Sequence, residues 1–274
     1  MNDEAIVACP ATVWDGYRHY GLASGLVSVP DYTILVQPED SSVVDARADS
    51  GQGPDLITLS IPAALGASAR YERRPICNTV IAASGPVVAA NQEMALRDLA
   101  GKHLALPGPQ STAALVCTTL LPSFGETYMP SNAIFSAIQR GDIEAGVVLN
   151  YDVQAFEDAG LVVLCELRER FAHYQLDLPL PWTVVCVKRE LDVETKAVLE
   201  AAFRKSVEVA TAHHNDALAY GMEVAGVSSR EVAERLLDQY SLADEGDALT
   251  AFEQGVEVLE SYLEADYYAA NGRF

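Results

Sequence analysis

Short apolar runs bounded by turn residues alternate, over the first two thirds of the chain, with stretches in which apolar residues return every third or fourth position. The runs predict strands at Glu4 to Ala8, Tyr32 to Val36, Leu56 to Thr58, Asn78 to Ala83, Val87 to Ala90, His103 to Leu106, Ala145 to Val148, Leu161 to Glu166 and Trp182 to Lys188, with helices between them. From Val193 the texture changes. Apolar positions recur through Leu199, Ala202, Val207 and Ala210, then through Ser228 to Tyr240 and Asp247 to Ala265, so the last third reads as helical. Glu231 with Glu234 and Glu257 with Glu260 read as solvated helix faces. Strands alternating with helices give an α/β protein rather than a bundle or a sandwich.

The middle segment, about Asn91 to Pro181, reads as an α/β unit of its own. In Lys102 to Gly108 a strand feeds a Gly/Pro turn and then a helix starting near Ser111, and later a helix stopped by Gly141 leads into the strand Ala145 to Val148. The expected organisation is therefore bilobal. A larger discontinuous lobe comprises residues 1–89 and 185–274, a smaller lobe of residues 90–184 is inserted in it, and the ligand cleft lies between them. The chain is expected to cross near Val87 to Ala90 and again near Thr183 to Val187.

Composition narrows the function. The chain has 274 residues, of which 50% are hydrophobic, enough for sizeable cores. With 39 acidic against 18 basic residues its formal charge is −21, which excludes long-range attraction to nucleic acid or to an anionic membrane surface. No apolar run reaches the roughly 20 residues that span a bilayer, and the start, Met1-Asn2-Asp3-Glu4, lacks the basic and apolar segments of a secretory signal, so a cytoplasmic location is expected. The five cysteines, Cys9, Cys77, Cys117, Cys165 and Cys186, are odd in number and mostly embedded in apolar runs, as buried free thiols are.

In an open α/β sheet, ligands bind beyond the carboxyl ends of the strands, where helix amino termini present unpaired N–H groups. Three turns qualify. After Thr58 and Leu59, Ser60 is placed to cap a helix whose first residue is Pro62, facing a carboxylate-binding corner. Ser111 and Thr112 open a second helix on the other lobe. After Cys9-Pro10, Thr12, Trp14, Asp15 and Tyr17 form an aromatic and polar cluster suited to lining a pocket for a ring. Opposite, Asn150 and Tyr151 follow a strand, and a loop brings His173, Tyr174, Pro181 and Trp182. None of His19, His103, His173, His213 and His214 has a metal-ligand spacing, and Gly51-Gln52-Gly53 precedes a strand rather than a helix, so neither metal nor nucleotide cofactor is expected.

In order and spacing, Cys9-Pro10, Thr58-Leu59-Ser60, Gly85 to Ala89, Ser111-Thr112-Ala113, Gly141 to Gly146, Leu178 to Pro181 and the helical tail resemble the 1,4-dihydroxy-6-naphthoate synthase family of the futalosine menaquinone pathway, with chorismate dehydratase as a more distant relative. The resemblance covers most of the chain and implies a type 2 periplasmic-binding-protein fold. It also implies that Thr58, Leu59, Ser60, Ser111 and Thr112 bind substrate. Two departures stand out: Asn150 occupies the position of the family's proposed catalytic histidine, and Ala11-Thr12 replaces an Asn-Asp pair. An amide is not a base. The resemblance thus implies a lyase with altered chemistry on a small carboxylated cyclic or enol-ether substrate, with the substrate's own carboxylate, His173 or Asp15 as the proton acceptor. The alternative is a non-catalytic binding protein for a small or aromatic carboxylate.

Overall fold

The computed structural model describes residues 3–50, 53–149, 152–175 and 178–270; Asn150 and Tyr151 lie outside them. The strands, in order, are β1 (Asp3–Pro10), β2 (Tyr32–Glu39), β3 (Leu56–Ser60), β4 (Tyr71–Arg73), β5 (Thr79–Ile81), β6 (Val87–Ala90), β7 (His103–Leu106), β8 (Gly125–Tyr128), β9 (Ala145–Val148), β10 (Val162–Glu166), β11 (Leu180–Lys188) and β12 (Tyr240–Leu242). The helices are α1 (Val13–Ala23), α2 (Ser41–Arg47), α3 (Ile61–Gly66), α4 (Thr112–Leu120), α5 (Ser131–Arg140), α6 (Val153–Ala159), α7 (Leu167–Tyr174), α8 (Val193–Ala212), α9 (His214–Ala225), α10 (Arg230–Leu237) and α11 (Gly246–Ala270).

Two sheets result. The larger runs β12-β5-β11-β3-β1-β2, with β4 also on β11, and the smaller runs β10-β6-β9-β7-β8. β1 is parallel to β2 and β3, and β7 is parallel to β8 and β9, while β11 and β6 return antiparallel. The chain leaves the larger sheet after Ile81, enters the smaller at Val87, and comes back between Glu166 and Leu180. Strands covered on both faces have no reason to alternate. β3, β6 and β9 are accordingly buried at every residue, which is why they read as unbroken apolar runs.

The pattern misses what is short or at an edge. β4 has three residues and β8, at the margin of its sheet, reads Gly-Glu-Thr-Tyr. Neither carries an apolar run. The helix expected through Tyr240 ends at Leu237, and Tyr240–Leu242 instead pairs with β5. Of the five free cysteines, Cys165 is half-buried and the others are buried. Among the described residues no helix is long and apolar enough to cross a membrane.

Candidate functional site

The carboxyl ends of β1, β3, β7 and β9 point at one another across a cleft. Its walls include Thr12, Trp14, Asp15, Ser41, Ser60, Trp182, Thr183 and Tyr240 on the side of the larger sheet, and Pro107, Ser111, Thr112, Ala113 and Leu149 on the other. Thr12, Trp14, Asp15, Ser60, Ser111 and Thr112 are thus brought together as expected from the sequence.

The hydroxyls expected to hold a ligand are committed elsewhere. Ser111 caps α4, its Oγ accepting Ala114 N–H at 3.1 Å and donating to the Gly108 carbonyl at 2.8 Å. Thr112 Oγ1 accepts Ile61 N–H at 3.1 Å and donates to the Trp182 carbonyl at 2.8 Å, tying α4 to α3 and β11. The groups left to a ligand at this corner are the N–H groups of Thr112 and Ala113, which as the first residues of a helix have no intrahelical acceptor. Ser60 does not cap its helix through its side chain; α3 starts at Ile61, one residue before Pro62, and the Ser60 N–H donates to Asp45 Oδ1 at 2.9 Å.

Along β3, Thr58 and Leu59 are fully buried and do not reach the cleft wall: Leu59 packs into the apolar core, and the Thr58 hydroxyl is sealed inside. Trp14 stacks on Tyr240 with ring centroids 5.8 Å apart, its indole N–H donating to Thr79 Oγ1 at 3.0 Å. Together with Trp182 these rings make the cleft's larger-sheet wall flat and aromatic.

Neither described candidate base is placed as one. His173 is exposed on α7 and outside the cleft, because Leu167 and Phe171 are the buried residues of that helix and a position two residues on from Phe171 faces away from the core. Asp15 lines the cleft, but its Oδ1 is paired with Arg18 at 2.5 Å and its Oδ2 accepts the Thr12 hydroxyl at 2.7 Å. Arg18 is itself fully buried, between the rings of Trp14 and Phe203. The carboxylate is spoken for on both oxygens. Asn150 and Tyr151, the other two candidates, lie outside the described residues.

Trp182, near the start of β11, reaches the cleft as the sequence suggested, whereas the polar cleft residues Ser41, Thr183 and Tyr240 were not singled out from the sequence. Thr183 carried a signal, an isolated hydroxyl in an otherwise apolar buried strand. Ser41 and Tyr240 carried none, since each reaches the cleft by the packing of distant elements. The cavity is about 20 Å³, close to the size of a single water probe, so the cleft is shut in this conformation.

Comparison with known proteins agrees with this architecture. The profile of a family described as Menaquinone biosynthesis matches residues 55–265. A 1,4-dihydroxy-6-naphtoate synthase of Thermus thermophilus is 28% identical over 220 residues, 80% of this chain and 78% of that protein, and one of Streptomyces coelicolor is 29% identical over 162 residues, 57% of this chain and 56% of that protein. Among solved structures, a protein of Archaeoglobus fulgidus superposes with a TM-score of 0.85 at 24% identity, covering 96% of this chain and 97% of its own. The alkanesulfonate-binding protein of Xanthomonas axonopodis pv. citri, bound to MOPS, does so with a TM-score of 0.70 at 12% identity, covering 97% and 92%. The periplasmic aliphatic sulphonate binding protein of Escherichia coli follows with 0.61 at 14%, covering 95% and 88%. The fold is thus the bilobal α/β fold of periplasmic binding proteins.

Proposed function

Because the chain belongs to the menaquinone-biosynthesis family whose profile spans residues 55–265, we propose that it is a cytoplasmic lyase of that biosynthesis, closing on a small carboxylated cyclic or enol-ether substrate. In this reading each sheet with its helices forms one lobe, and because β6 and β11 each belong wholly to one sheet, the crossings move from the expected 89/90 and 184/185 to between Ile81 and Val87 and between Glu166 and Leu180. The observation that carries it is the corner at α4, where the Thr112 and Ala113 N–H groups face a wall of Trp14, Trp182 and Tyr240. A helix amino terminus favours an anion and flat rings favour a planar body. The amides that bind the ground-state carboxylate also stabilise negative charge that develops beside it.

No described side chain in the cleft is a free base, so the chemistry differs from one built on a cleft histidine; the substrate's own carboxylate is the acceptor that fits. The absence of a free base also favours a second reading, a binding protein that closes on the same carboxylate without turnover. One experiment separates them. The purified protein is incubated with cyclic dehypoxanthinyl futalosine and, separately, with chorismate, and both heat stabilisation and products are followed. A new mass with stabilisation supports the lyase; stabilisation without product supports the binding protein; neither response with either compound removes the carboxylate reading. Asn150→His adds the missing imidazole, and gain of turnover of the futalosine compound would locate the divergence at that position.

A further inference from the structure

The polar atoms packed around Ser60 are short of partners. Asp45 on α2, 3% exposed, accepts the Ser60 N–H on Oδ1, while its Oδ2 is sealed from solvent with no hydrogen-bond partner among the described residues. One helical turn back on α2, the Ser41 hydroxyl is likewise buried and unpaired, in a residue that lines the cleft. Thr183, 5% exposed, sits opposite Ser60 in the β11–β3 ladder, lines the cleft, and has an unpaired hydroxyl too. Each such atom costs about 1–3 kcal/mol. Three of them grouped around one serine at a cleft floor mark a place completed by what enters the cleft.

Among the described residues no cation balances Asp45. On α2 itself, Asp40 adds negative charge at one end, and Arg47 at the other is held by Glu39 at 2.6 Å. Of the elements packed on α2, β3 contributes Ser60, β1 carries the Cys9 thiol, which burial keeps protonated, and α3 has no titratable side chain. The Cys186 thiol on β11, which feels the Asp45 charge, is pushed up to about 12 by burial and is neutral as well. Burial consequently pushes the Asp45 carboxyl up to about 7, against the opposing pull of the Ser60 hydroxyl and amide and with the negative Asp40 adding to the rise.

We propose that Asp45 is the residue that lets this cleft hold an anion: in its neutral form it frees the Ser60 hydroxyl to donate to a ligand carboxylate, and it takes up one proton from solvent when that ligand binds to the ionised protein. The inference rests on the carboxylate reading of the cleft. No bond in the ligand changes; solvent gives one proton to the Asp45 carboxylate, which becomes the carboxylic acid. Ionised, Asp45 claims the Ser60 hydroxyl for itself and repels a second carboxylate on the far side of that serine. Neutral, it leaves Ser60, Thr183 and Ser41 as donors facing the α4 amides. Asp45 acts through Ser60 and is a positioning residue that makes the cleft specific for an anion.

The test has a ligand-free arm and a ligand arm. Without ligand, the folded protein keeps the Asp45 proton to about pH 7 while the unfolded chain loses it near pH 4, so this group's contribution to stability is full below about pH 4 and is lost as pH rises through about 7. Unfolding midpoints should show that decline in the wild type and not in Asp45→Asn, and the Asp45 carboxyl carbon, followed by NMR in the wild type, should titrate near 7. A carboxyl that titrates near 4 overturns the proposal, whether or not the Asn variant folds. With cyclic dehypoxanthinyl futalosine as the probe, calorimetry in buffers of different ionisation enthalpy should count close to one proton taken up at about pH 8. Affinity should fall about tenfold per pH unit above 7 in the wild type and stay level in Asp45→Asn. The same pH slope in both proteins overturns the proposal. Absence of binding to either protein at any pH counts instead against the carboxylate reading, and leaves the ligand-free titration to decide what Asp45 does.

Discussion

At the scale of single residues, hydroxyls on the cleft walls hydrogen-bond to backbone groups and hold the cleft together. Thr112 is the clearest case, since one hydroxyl serves the Ile61 N–H and the Trp182 carbonyl on the opposite side of the cleft. Thr112→Val keeps the shape and strands both partners. It should cost about 1–3 kcal/mol of stability, read from denaturant unfolding, and weaken carboxylate binding by misplacing the α4 amides; an unchanged unfolding midpoint would show that the bridge carries no weight. His19 gives a second, independent prediction. It is completely buried, its Nδ1 lies 2.7 Å from the Asp15 carbonyl, and burial with the neighbouring Arg18 lowers its pKa to about 4. A histidine depressed in the folded state contributes stability that is present above its unfolded value near 6.5 and is lost as pH falls through about 4. That is on the order of 3 kcal/mol across the window. The wild type should therefore lose stability on acidification over that range, and His19→Gln should lose less; identical acid limbs would refute the assignment.

At the scale of elements, α1 decides where the cleft's aromatic wall stands, because Thr12, Trp14 and Asp15 lie at its start. Its position is set by close helix packing. A Cβ on Gly221 of α9 would lie 2.6 Å from the Val13 carbonyl oxygen, and one on Gly16 would lie 2.8 Å from the Gly221 Cα. Both obstacles are backbone, so the helices themselves would have to part. Gly221→Ala should destabilise by about 1–3 kcal/mol and, by tilting α1, lower ligand affinity as well; thermal unfolding together with ligand titration checks both halves. The sequence made the framework of this arrangement legible. Buried parallel strands announce themselves as apolar runs, and Ser111 announces itself as a cap because a short polar side chain before an apolar helix has few other uses. What it concealed follows a different logic. β12 is three residues long and carries no period, yet it supplies Tyr240 to the cleft. His173 looked available in the sequence because the register of a short helix is fixed by the core it meets, here through Leu167 and Phe171. The sequence also could not show that the Thr112 hydroxyl was already in use, since its partners Trp182 and Ile61 belong to other elements.

At the scale of the molecule, a cleft with a cavity of about 20 Å³ has to widen to take a ligand of metabolite size, so the contacts between its walls bear on entry. Two carboxylates provide such contacts. Asp40 caps α2 through Ser42 and, with its other oxygen, accepts from the Ser131 N–H at 3.0 Å and hydroxyl at 2.8 Å, doing for α5 what Pro130 cannot. Asp152, which caps α6, also receives Arg235 of α10 through Nε at 2.9 Å and Nη2 at 2.5 Å. The second latch is the better target because Arg235 serves no helix cap, so its removal leaves α6 capped. Arg235 is half exposed while Asp152 is buried, and solvent at the arginine keeps the pair's contribution to overall stability small, so its weight lies in holding α10 against α6. Arg235→Ala should consequently leave the unfolding midpoint almost unchanged and raise the association rate several-fold. The chain's two tryptophans, Trp14 and Trp182, both line the cleft and report on entry directly by stopped-flow fluorescence. If the association rate does not move, closure is governed instead by the apolar strap of α11 across α3, α4 and β11, whose Phe252, Val256 and Leu259 lie in the core shared by both sheets.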